Sequence, residues 1–141
     1  MNRAGERVLA VVTAALLGVD AFVHLHYAHS YDQFKSSTMS EGTLFRIQGV
    51  VAIVVGVLLL IWPGVLTWLL SLLVAGSAVV AVTLYTYVDV GKLGPLPDLY
   101  EHTWSPPGKV LSAVAELVAV VLSIIGLTLA LRRRRVRAAA Y

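Results

Sequence analysis

Apolar positions along this chain fall in long blocks, not in a short period. Four blocks, over about residues 8–29, 47–62, 65–88 and 110–131, are apolar nearly throughout. Each approaches the roughly 20 residues that a helix needs to cross a bilayer. The second is the shortest and can extend back through Leu44 and Phe45. Polar residues collect between the blocks. "WPG" (Trp62 to Gly64) separates the second from the third, and Pro63 there ends a helix, so these two are antiparallel neighbours. Residues 30–46 and 89–109 form longer connections, and the latter holds four of the five prolines. Ser105, followed by Pro106 and Pro107, reads as the N-cap of the fourth helix. The predicted fold is all-α: one membrane domain over residues 1–141, built as a four-helix bundle.

Composition agrees. Of 141 residues, 58% are hydrophobic and 13% charged. Soluble domains carry about 25% charged residues. There is no cysteine, which removes disulfides, thiolate metal sites and cysteine nucleophiles. The net charge of +3 is concentrated: five of the eleven basic residues lie in "RRRRVR". Directly after an apolar helix this reads as a cytoplasmic membrane flank, not a nucleic-acid site. Arg3, Arg7, Arg132 to Arg135 and Arg137 give seven basic residues at one end of the bundle, against Lys35, Arg46, Lys92 and Lys109 at the other. The positive-inside rule then predicts both termini inside, the connections 30–46 and 89–109 outside, and residues 132–141 as a basic cytoplasmic tail of a bacterial plasma-membrane protein. Trp62 and Trp68 fall at the inner interface, and Tyr27, Tyr31, Tyr85, Tyr87, Tyr100 and Trp104 at the outer one. "MNRAGER" before an apolar run, with "VDA" preceding Phe22, has the outline of a signal peptide. The expectation here is that this segment remains as the first span.

Lipid supplies no hydrophobic drive for helix association, so small residues mark the packed faces. They run along Ala10, Ala14, Gly18 and Ala21; Gly49, Ala52 and Gly56; Ser71, Ala75 and Ala78; and Ser112, Ala115, Ala119, Ser123 and Gly126. Glu116 falls within the last stripe and His24 beside the first. At 1.5 Å per residue, Glu116 lies about 10 Å and His24 about 9 Å below the outer edge, with Asp20 at about 15 Å. Gln48, Thr83, Tyr85 and Thr86 reach the same half. Asp20, His24, Gln48, Tyr85, Thr86 and Glu116 thus form a predicted polar layer. It reads either as a hydrogen-bonded structural layer or as a ligand, metal or proton site, since ionisable groups in a span are costly and are functional by default. His26, His29 and His102, with Asp32, are weaker candidates for a surface metal; histidines at an interface are more often simply solvated.

Motifs for nucleotide binding, zinc proteolysis, serine hydrolysis and dithiol redox are absent from the sequence. Ser30 is out of register with His24 for nucleophilic catalysis. His24 can supply one haem ligand, and no other span carries a histidine for the second. The string "VHLHYAHSY", with the glutamate of "SAVAELVAVV", resembles small four-span membrane proteins of actinobacteria. His24 and Glu116 are the matching positions, and the resemblance implies architecture more than activity. In size and layout the chain is also distantly similar to DoxX-like proteins, from which its first helix departs in its glycines. The leading expectation for function is a non-catalytic accessory or assembly subunit of a respiratory or envelope-transport complex, or a homo-oligomer. It would dock through Leu99, Tyr100 and Trp104 of the proline-rich connection. The alternatives are a binder of a quinone, haem or lipid at Asp20, His24 and Glu116, and a proton-coupled transporter.

Overall fold

A computed structural model of the protein describes residues 3–139. Four helices make up the bundle: α1 (Arg3–Tyr27), α2 (Glu41–Ile61), α3 (Val65–Tyr87) and α4 (Pro107–Ala138). Each is long and apolar enough to cross a membrane, and the chain is a multi-pass membrane protein. Helices are the economical form here, because every N–H and C=O inside hydrocarbon must be paired within its own segment. The faces turned away from the bundle are apolar too, as at Val50, Ile53, Val54 and Val57 of α2. The packing order around the bundle is α1, α2, α3, α4, with α4 closing back onto α1. The tail end carries the start of α1, the end of α4 and the Trp62–Gly64 turn; the loop end carries the two long connections. The side chains of Arg3 and Arg137, used in the orientation count, and residues 140–141 of the tail lie outside what is described.

Local chemistry sets the helix ends. Ser40 caps α2 by accepting the Thr43 N–H at 3.0 Å, which starts the helix at Glu41, six residues earlier than the 47–62 span. The Trp62 N–H closes the last turn of α2 on Leu58 O at 2.8 Å. The Thr67 hydroxyl then accepts from Gly64 N–H at 2.9 Å and donates to Trp62 O at 2.7 Å. This pins the α2–α3 turn. Ser105 is not the cap of α4. The helix starts at Pro107 after a cis Ser105–Pro106 bond. The cap position therefore falls on Pro106, whose carbonyl accepts the Lys109 N–H at 2.9 Å. At its other end α4 runs on through the arginines to Ala138 instead of stopping near Leu131, and Arg133 pairs with Glu6 of α1.

The interior is layered. At the tail end Ala10, Leu59, Trp68 and Ala130 pack together. Trp68 is not an interface anchor: it is 2% exposed. A Cβ at Gly126 would enter its ring, so the missing side chain on α4 is what admits the indole. Above this, Ser71 and Ser123 share a buried hydrogen bond of 2.7 Å. Leu17, Ala21, Ala52, Val55, Ala75 and Ala119 fill the middle. Above them the interior turns polar.

Candidate functional site

Asp20 projects from α1 into the bundle and is 0% exposed. Three helices supply its partners. His24, one turn along α1, places Nδ1 2.8 Å from Oδ1. The Ser112 hydroxyl of α4 lies 2.9 Å from the same oxygen. Gln48 of α2 donates Nε2–H to Oδ2 at 2.9 Å. The Asp20 backbone carbonyl is also 3.0 Å from His24 Nδ1. Both neighbours of Nδ1 are acceptors, so Nδ1 carries the hydrogen. Nε2 of a neutral ring is then left with a free lone pair. Phe45 meets the ring edge-on at 5.0 Å, which holds its plane.

Glu116 is the third member. Its Oε1 lies 2.6 Å from the Ser112 hydroxyl. Its Oε2 is buried with no partner among the described residues. Ser112 has one proton to give and a carboxylate oxygen on either side. Both contacts are hydrogen bonds only if one of the two carboxyls carries a proton and donates it to the Ser112 oxygen. Asp20, His24 and Glu116 each offer a donor atom within 4.8 Å of the others.

His24, Gln48, Ser112 and Glu116 form the floor of a cavity of about 490 Å³, with Asp20 buried behind them. Its walls are mostly apolar, with Leu44 and Ile47 of α2 facing Ala78 and Val82 of α3. These two helices pack least tightly of the neighbouring pairs. The Trp62–Gly64 turn ties them at the tail end, and the cavity lies between them toward the loop end. At the mouth lie Tyr31, Glu41, Glu101 and Lys109. The Tyr31 hydroxyl donates to Glu101 at 3.2 Å, and Lys109 Nζ donates to the Glu101 and Thr103 carbonyls at 2.9 and 2.7 Å. Burial, then the Glu101 carboxylate beside it, holds the Tyr31 phenol well above its ordinary pKa. It is therefore a fixed donor. Beside the mouth, Arg46 grips Asp32 with two bonds of 2.7 Å and holds that carboxyl well below the usual range.

The predicted layer is thus brought together in part. Asp20, His24, Gln48 and Glu116 converge. Tyr85 lines the cavity wall. Thr86 is buried, but its hydroxyl turns back to Val82 O at 2.6 Å. Thr83 is exposed on the outside of the bundle. The surface histidines are separated: His26 stacks on Phe22, His102 stacks on Tyr100, and His29 lies 3.6 Å from Asp32 with its side chain 97% exposed. Leu99 lines the cavity, and Trp104 donates to the Tyr87 hydroxyl at 3.2 Å beneath the Lys109 ammonium. Tyr100 is 40% exposed. Sequence reasoning missed Ser112 as a site residue, counting it as packing. Its place one helical turn from Glu116 was the available signal. Glu41, Glu101 and Lys109 at the mouth gave no such signal. No known protein family, curated protein or solved structure matches the chain.

Proposed function

We propose that this protein binds a small membrane-soluble amphipathic molecule with a hydroxylated ring head, of the quinol type, in the cavity between α2 and α3. The observation that carries the reading is the cavity itself: apolar walls of drug-sized volume end on a floor of convergent polar groups, among them the unpartnered Glu116 Oε2. A hydroxyl head needs acceptors, and the floor offers His24 Nε2 and Glu116 Oε2. A hydrocarbon tail needs an apolar exit. The gap between α2 and α3 gives one toward lipid, where exposed Ile47 borders the cavity. With both termini inside, the mouth faces the outer leaflet of a bacterial plasma membrane.

An accessory-subunit role through Leu99, Tyr100 and Trp104 draws less support from the geometry, because Leu99 and Trp104 are engaged within the chain. Proton-coupled transport draws less still. Between the polar floor and the tail end lies the apolar layer of Leu17, Ala52, Ala75 and Ala119, with no chain of ionisable groups across it among the described residues.

Thermal unfolding of the detergent-purified protein with decylubiquinol tests the proposal. A ligand at 100 times its dissociation constant stabilises by about 2.7 kcal/mol, a rise of several degrees. Ala78→Phe, which fills the cavity and leaves the floor intact, should abolish the rise, and Glu116→Leu should reduce it. No rise in the native chain, or an equal rise in Ala78→Phe, contradicts the proposal.

A further inference from the structure

We infer that Asp20, His24 and Glu116 bind a first-row divalent cation of the Mn²⁺ or Fe²⁺ kind at the floor of the cavity. Three observations meet there. The first is the donor set. One imidazole and two carboxylates, on two different helices, bring their ligand atoms within 4.8 Å of one another. Atoms that share an ion at about 2.1 Å sit about 3 Å apart when coordinated at right angles, so small side-chain adjustments close this set around a metal. Mixed nitrogen and carboxylate donors without sulfur suit Mn²⁺ and Fe²⁺, and the nitrogen disfavours Mg²⁺ and Ca²⁺.

The second observation is Glu116 Oε2. Glu116 is 2% exposed and this oxygen has no partner among the described residues. A buried carboxylate oxygen without a hydrogen bond is costly, and a cation at the cluster satisfies it. The third is charge. Two carboxylates face each other across Ser112 within an apolar bundle, and the described ion pair of Asp20 is with His24, which is charged only when protonated. Lys109, the basic residue lining the cavity, is committed to Glu101 at the mouth. A divalent cation balances the negative charge of the two carboxylates.

Gln48 and Ser112 then act as positioning residues. Each donates to a ligand carboxylate, at 2.9 Å to Asp20 and 2.6 Å to Glu116 respectively, as the outer hydrogen bonds of metal centres do. Two of the three ligands, His24 and Glu116, also line the cavity, so a cation held there would lie within reach of a hydroxylated head.

The test uses the full chain purified in detergent without added quinol. Mn²⁺ alone is titrated in, and the loss of the free-ion six-line paramagnetic signal is followed. Expected is about one Mn²⁺ per chain. Binding should weaken at least tenfold in Glu116→Gln and in His24→Gln, and about 10- to 100-fold in Gln48→Leu. Ala78→Phe should bind Mn²⁺ as the native chain does while losing decylubiquinol, which separates failure of the metal site from failure of the ligand reading. Absence of Mn²⁺ binding to the native chain overturns the inference, as does equal binding by native protein, Glu116→Gln and His24→Gln. The native measurement decides even if a variant fails to fold.

Discussion

Ser112 stands between two carboxylates with one hydroxyl proton, and its neighbours are held accordingly. Ser112→Ala should leave Asp20 and Glu116 each one contact poorer in a buried site. The expected cost is about 1–3 kcal/mol, read by reversible thermal or detergent-induced unfolding, and a loss below about 0.5 kcal/mol would contradict this role. Glu116→Gln should be milder than Glu116→Leu, because the amide retains hydrogen bonds that leucine lacks. Outside the bundle, Arg46 depresses the Asp32 carboxyl. A depressed carboxyl contributes stability that is present above its unfolded pKa and lost as pH falls through the folded one. The Asp32–Arg46 tie should therefore persist at acid pH where an ordinary aspartate protonates. Arg46→Gln should return the Asp32 titration, followed by carbon NMR of labelled aspartate, to the ordinary range; an unchanged titration would contradict the pairing. The four convergent residues Asp20, His24, Gln48 and Glu116 were legible as polar exceptions in apolar blocks. Ser112 was not, because serine is both a packing residue and a donor in membrane helices, and spacing alone does not separate the two roles.

The same ambiguity of small residues governs the helices, where stripes told which faces pack but not what they pack on. Gly126 belongs to such a stripe, yet its partner is the Trp68 indole, which position alone placed at an interface. Gly126→Leu should drive the ring out of its slot and cost about 1–3 kcal/mol, measured by unfolding; neutrality would mean that α3 and α4 repack freely there. The blocks fixed the four elements within a few residues on most ends. They missed where polar residues continue a helix, at Glu41 to Arg46 of α2 and Arg132 to Ala138 of α4. Apolar runs report membrane depth, whereas helix ends are set by caps such as Ser40. Arg133 adds a link between the ends of α1 and α4, since Glu6 beside it is 8% exposed. Arg133→Gln should leave that carboxylate unpaired and destabilise the tail end by about 1 kcal/mol or more, with Glu6→Gln in the same background restoring part of the loss.

At the scale of the whole molecule, four spans closing around a polar floor were readable from the sequence, while the cavity above that floor was not. It is lined from all four helices and both long connections, segments far apart in the sequence. Orientation is open to direct mapping, because the chain has no cysteine of its own. Ser37→Cys should react with a membrane-impermeant maleimide added outside intact cells, and Ala139→Cys should react only after lysis; the reverse pattern would turn the cavity mouth to the cytoplasm. The central claim is that the space between α2 and α3 holds a small organic molecule, and native mass spectrometry of the protein released directly from membranes tests it most directly. The account predicts a chain carrying one small organic ligand that dissociates on activation and is missing from Ala78→Phe. A native chain at its bare mass, or an identical adduct on Ala78→Phe, would contradict it.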